Sequence, residues 1–106
     1  MTPDQLKLLA DTEFDRVVHK KNLRETAHAQ LTVPFAGGLF IASPILIAFL
    51  GTCNDDIVYV EDTYNNPVLV DRLELLDLLK STYKDAMMSW HDELQKSNRI
   101  RRAANV

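Results

Sequence analysis

The sequence predicts an α+β fold in which long amphipathic helices at the N- and C-terminal ends pack with a short central helix and a small antiparallel β-hairpin or sheet. Three observations carry this. Apolar residues recur at three- and four-residue spacing near both ends of the chain, the period of one helix face. The middle holds short β-branched and aromatic runs bounded by turn residues, the pattern of strands and hairpins. Between them, residues 26–54 contain no Asp, Glu, Lys or Arg, although charged residues make up 25% of the chain. Such a block needs apolar cover.

The chain of 106 residues is expected to form one domain, 1–106, with a single modest core. Its one cysteine, Cys53, excludes an intramolecular disulfide framework and fits a reducing, cytoplasmic compartment. The first apolar run is broken by Asp4, Lys7 and Asp11, so no signal peptide is expected. A net charge of −3 conceals a split: residues 1–54 are neutral, 55–93 carry −7 and 94–106 carry +4.

In order, Thr2-Pro3-Asp4-Gln5 is a helix start, with Thr2 as cap, Pro3 in the first turn and Gln5 as capping-box partner. Leu6, Leu9, Ala10, Phe14, Val17 and Val18 draw an apolar stripe, and no Gly or Pro follows before Pro34, so a helix is expected over about 3–29. Arg16, Lys20, Arg24 and His28 stand at successive i+4 positions and form a basic ridge on it. Over about 31–51 the expectation is strand, turn and short helix. Leu31 to Phe35 is a short strand that Pro34, lacking an N–H, confines to an edge or a bulge, Ala36-Gly37-Gly38 turns, and Ser43-Pro44 opens a short buried helix over about 44–50 that Gly51 stops. Ile57-Val58-Tyr59-Val60 and Pro67-Val68-Leu69-Val70 flank a polar turn and read as a hairpin over about 57–70. Asp71 caps the last helix, about 72–97, ahead of a basic tail over 98–106. On that helix Leu76, Leu79, Tyr83, Ala86 and Trp90 repeat at three-four-three-four, with Met87 widening the stripe. This seam is expected to cover the charge-free centre, and Leu76, Leu79, Tyr83, Met87 and Trp90 are also the candidate partner interface.

Chemical motifs are sparse. Gly37-Gly38 lacks the Lys and Ser/Thr of a phosphate loop. His19, His28, His91 and Cys53 have no metal-ligand spacing. Asp55, Asp56, Glu61 and Asp62 flank opposite ends of one strand and are expected to be solvated turn acids. The expectation is therefore a non-enzymatic chain with no catalytic residue, metal or cofactor.

Taken together, Val33-Pro34-Phe35, Gly37-Gly38-Leu39-Phe40, Ile47-Ala48-Phe49-Leu50, Glu61-Asp62-Thr63-Tyr64-Asn65-Asn66-Pro67 and the helix from Tyr83 through Trp90 to Ile100-Arg101-Arg102 resemble small uncharacterised proteins encoded by large tailed phages of cyanobacteria. The resemblance implies a setting in the virion or the host cytoplasm, in virion assembly or the binding of a host protein. It implies no site residue.

Three functional classes follow from the residues. The first is a protein–protein interaction module that binds a protein partner or itself through its helical faces. The second is a nucleic-acid-binding accessory protein using Arg16, Lys20, Arg24, Arg99, Arg101 and Arg102; the acidic segment before the tail opposes it. The third is insertion in a membrane through residues 33–51, which the breaks at Pro34, Gly37, Gly38 and Pro44 oppose.

Overall fold

A computed structural model describes the backbone of residues 2–104 and the side chains of residues 2–5 and 14–100. Its elements are α1 (Pro3–Ala29), β1 (Thr32–Phe35), β2 (Gly38–Ile41), α2 (Pro44–Thr52), β3 (Ile57–Glu61), β4 (Pro67–Asp71) and α3 (Arg72–Ala104). The molecule is an elongated α+β body of 66 × 26 × 20 Å.

The expected start signals operate. Gln5 N–H donates to Thr2 Oγ1 at 3.3 Å while Thr2 N–H donates to Gln5 Oε1 at 3.1 Å, a reciprocal capping box. Ser43 Oγ accepts from Leu46 N–H at 3.2 Å and Pro44 follows it, opening α2. Asp71 Oδ1 accepts from Glu74 N–H at 3.0 Å and opens α3. Helix α3 does not stop near residue 97. It continues through Arg99 and Arg101 to Ala104, because no Gly or Pro interrupts it and Arg and Ala are strong helix formers. The expected basic tail is largely its last turns.

The charge-free stretch holds one more strand than its pattern suggests. β1 and β2 pair antiparallel, Thr32 opposite Ile41 and Phe35 opposite Gly38, around a two-residue turn. Both turn residues have positive φ, +51° at Ala36 and +84° at Gly37, as a type I′ hairpin turn demands. β3 and β4 form a second antiparallel pair, Ile57 opposite Asp71 and Glu61 opposite Pro67.

Asp62 joins the two hairpins. Its Oδ1 accepts from Tyr64 N–H and Asn66 N–H, each at 3.0 Å, and its Oδ2 accepts from Leu39 N–H at 3.3 Å. Thr63 N–H donates to Leu39 O at 2.9 Å beside it. Asp62 is thus buried, correcting the expectation of a solvated turn acid: its carboxylate replaces water with backbone donors from both hairpins. Those bonds, led by Asn66 N–H, hold its pKa below the ordinary carboxylate value against the opposing effect of desolvation.

The core centres on Phe40, Leu50, Val70, Leu75 and Leu79, all but fully buried. Phe40 comes from β2, Leu50 from α2 and Val60 and Val70 from the second hairpin, and all pack on one face of α3 through Leu75, Leu76, Leu79 and Ala86. The charge-free run is only partly this core. Phe40, Ala42 and Leu50 are buried, Leu39, Leu46 and Ile47 are half-buried, and Ile41, Ile45, Ala48 and Phe49 are exposed. Of the two long helices, α3 covers it. α1 packs along the distal half of α3, and Trp90 meets His28 edge-on with ring centroids 6.0 Å apart. The described apolar stripe of α1 is solvent-facing: Phe14 and Val17 are 68% and 65% exposed, and Ala27 is the buried residue of its described side chains. The reason lies in periodicity. Arg16, Leu23 and Ala27 share the side turned towards α3, while Phe14, Val17 and Val18 lie about half a turn away.

Candidate functional site

The most distinctive exposed surface lies on α2 and the end of β2. A nine-residue helix presents its faces at i, i+3, i+4. Leu46, Ile47 and Leu50 turn inward to the α3 core, which leaves Ile45, Ala48, Phe49 and Thr52 outward. Ile45 is 84% exposed and Phe49 48%, with Ile41 of β2 also exposed. These side chains border an open groove of about 450 Å³ whose floor includes Phe40 and Val60. Its charged lining residues are Glu61 and Asp62, both acidic. Asp62 is engaged by the backbone donors described above, so Glu61 is the charge this rim presents to solvent.

Arg72 secures the far end of α2. Its Nη1 donates to Leu50 O at 3.1 Å and its Nε to Asp55 O at 2.8 Å, satisfying a carbonyl that the helix terminus leaves open. Cys53 follows the helix, half-buried, with its N–H on Phe49 O at 3.2 Å. A second apolar surface is the outer face of the β3–β4 hairpin, where Ile57, Tyr59 and Leu69 are exposed. Tyr59 and Leu69 are cross-strand partners.

The seam Leu76, Leu79, Tyr83, Met87 and Trp90 is largely spent within the chain. Leu76 and Leu79 are buried in the core, Tyr83 and Met87 pack against it, and Trp90 packs on His28. Leu76 and Leu79 therefore have little apolar area left for a partner, whereas Tyr83, Met87 and Trp90 are half-buried. Exposed apolar side chains lie on α2, on the outer hairpin face and on α1, with Leu73, Met88 and Ile100 exposed along α3.

The basic residues are brought together in part. Arg16 and Lys20 line a groove of about 270 Å³ with His19, Leu94 and Asn98. Lys20, Lys21 and Arg24 line an adjoining one of about 410 Å³ with Trp90 and Leu94. Lys20 and Arg24 make no ion pair among the described residues, and Lys21 meets Glu25 at 3.8 Å. Arg99 lines a different depression, with His91, Asp92, Gln95 and Lys96. The side chains of Arg101 and Arg102 lie outside the described residues. The three histidines are spread over the helical part: His19 beside Arg16, His28 on Trp90, and His91 with Nδ1 3.9 Å from Asp92 Oδ1. No group of three or more His, Cys, Asp or Glu among the described residues is placed to hold a metal ion.

Residues 33–51 do not form a membrane-crossing helix. They fold as two short strands and a helix of about 14 Å, against a hydrocarbon core of about 30 Å. No helix among the described residues is long and apolar enough to cross a membrane. No family profile matches the chain, and neither does a curated protein or a solved structure.

Proposed function

We propose that this chain is a non-enzymatic protein-binding module whose docking surface is the outward face of α2 with the adjoining end of β2. The observation that carries the reading is the concentration of Ile41, Ile45 and Phe49 on an exposed surface whose helix has no charged side chain. Scattered exposed apolar residues are ordinary, but a contiguous group beside a groove marks interaction sites. Covering Ile45 and Phe49 in an interface would contribute about 3 kcal/mol between them, scaled by the area each exposes. That is enough to anchor a complex of modest affinity when rim contacts add to it. The resemblance noted above extends the proposal to virion assembly or host-protein binding as its setting. The test is site-specific photocrosslinking, with a crosslinking residue placed at Ile45 and, as control, at exposed Lys80. Protein adducts that concentrate at position 45 are the expected result; equal yields at both positions would refute the reading.

A second reading, binding of a polyanion, draws on Lys20 and Arg24 beside Trp90. Cations flanking an aromatic face suit single-stranded nucleic acid, although Arg99 stands apart from them. Fluorescence anisotropy of a labelled oligonucleotide at low salt tests it. Binding that weakens steeply with salt and is lost in Lys20→Glu supports it, and absence of a low-salt signal ends it.

A further inference from the structure

Two unpartnered surfaces on this molecule are complementary. The first is the acidic-rimmed apolar groove beside α2, with Ile41, Ile45 and Phe49 on its walls and Glu61 at its edge. The second is the outer side of α1, where Phe14, Val17, Val18 and Lys21 stand at i, i+3, i+4 and i+7 on one helical face. Phe14, Val17 and Val18 are exposed, and Lys21 is held only by a solvent-exposed contact to Glu25. An amphipathic helix laid in an apolar groove is read through anchors at this spacing.

We infer that α1 of one copy docks into the α2 groove of a second copy, so that the chain self-associates head to tail. The inference rests on the proposed role of the α2 face and names its occupant. Three observations select a second copy. The donor face carries Lys21, shared with exposed Glu25 one turn on at 3.8 Å, and the groove's exposed charge is Glu61. From the exposures of Phe14, Val17 and Val18 on one side and Ile41, Ile45 and Phe49 on the other, each face offers about 300 Å², and a contact burying both, about 600 Å², has the size of a weak, transient interface. The two faces also cannot meet within one chain. α2 packs near Arg72 and Leu75 at the start of α3, whereas the α1 face lies at the level of Leu94 and Asn98, about 30 Å farther along the helix. Donor and acceptor are different surfaces, so the contact is heterologous and propagates into open chains or closes into a ring.

The experiment is sedimentation velocity on the full chain from about 5 to about 500 μM, the range in which an interface of this size is populated. Wild type is compared with Val17→Asp, which spoils the donor, and with Ile45→Asp, which spoils the acceptor. Both positions are exposed, and far-UV circular dichroism confirms folding; a variant that loses its helical signal is replaced by Val17→Ser or Ile45→Ser. Wild type is expected to grow in mass with concentration while each variant alone stays monomeric. An equimolar mixture of the two is expected to form a one-to-one dimer that grows no further, because each copy retains the face the other lacks. Lys21→Glu is expected to weaken association about fivefold, and Glu61→Lys in the same chain to restore it. Self-association of Val17→Asp alone would reveal a symmetric α2–α2 contact, and that of Ile45→Asp alone a symmetric α1–α1 contact; either overturns the proposal. A wild type that is monomeric throughout also overturns it, whereas the docking role of α2 fails only if crosslinking at Ile45 fails.

Discussion

Gly38→Ala tests how the two hairpins are held together. A Cβ at Gly38 would lie 2.9 Å from Val68 Cγ2 and 3.1 and 3.2 Å from Phe40 Cε2 and Cζ. Val68 belongs to the other hairpin and is β-branched, so its χ1 has little freedom to yield. Phe40 is 1% exposed and has no space to retreat into. The expected cost is that of overpacking, about 1–3 kcal/mol. At about 5 °C per kcal/mol for a domain of this size, Tm falls by about 5–15 °C. The assay is urea unfolding followed by circular dichroism, with a shifted midpoint and an unchanged slope. A double-mutant cycle supplies the decisive comparison. Val68→Ala alone loses apolar contact and is destabilised by about 1 kcal/mol. In the double variant the smaller side chain accepts the new methyl, so the combined loss falls below the sum of the singles by about 1 kcal/mol or more. Strict additivity, or a neutral Gly38→Ala, would refute close packing between the hairpins at this point.

The Asp62 bond network gives a pH dependence whose sign follows from its cause. Backbone donors, Asn66 N–H first, keep the folded carboxylate below its ordinary value of 3.8. The stabilisation is therefore fully present above the unfolded value and is lost as pH falls through the lower, folded one. Urea midpoints measured across that acid range are expected to fall more steeply in wild type than in Asp62→Asn, and parallel curves would exclude the role. Ala36 has φ +51°, a conformation that costs a residue with a Cβ about 1 kcal/mol. Ala36→Asn, which creates the Asn-Gly pair preferred in type I′ turns, is expected to raise Tm by a few degrees in differential scanning calorimetry; a lowered Tm would contradict the turn geometry.

Local chemistry was legible wherever it depends on near neighbours in sequence. Thr2 with Gln5, Ser43 with Leu46, and Asp71 with Glu74 open α1, α2 and α3 because capping is a contact over three residues. The β3–β4 hairpin was legible from its two β-branched runs. β2 was not: Gly38-Leu39-Phe40-Ile41 has no alternation of polar and apolar residues, and only its pairing with β1 distinguishes it from the start of a buried helix. Asp62 was misread for a related reason. Its identity as a turn acid is local, while its burial depends on Leu39, 23 residues away.

What the sequence determined by itself is where α1, α2 and α3 begin, the β3–β4 hairpin, and the existence of an uncharged block too long to be wholly solvated. Which half of that block is buried was decided by tertiary structure. α3 can cover only one face of α2, so Leu46, Ile47 and Leu50 go inward while Ile45 and Phe49 are left outside. The same holds for α1, whose stripe indicates an apolar face but not what meets it. Because α1 docks on α3 through Arg16, Leu23 and Ala27, its Phe14, Val17 and Val18 remain uncovered. Periodicity specifies that a face exists. Only the placement of the other helices specifies whether the chain itself or another molecule covers it.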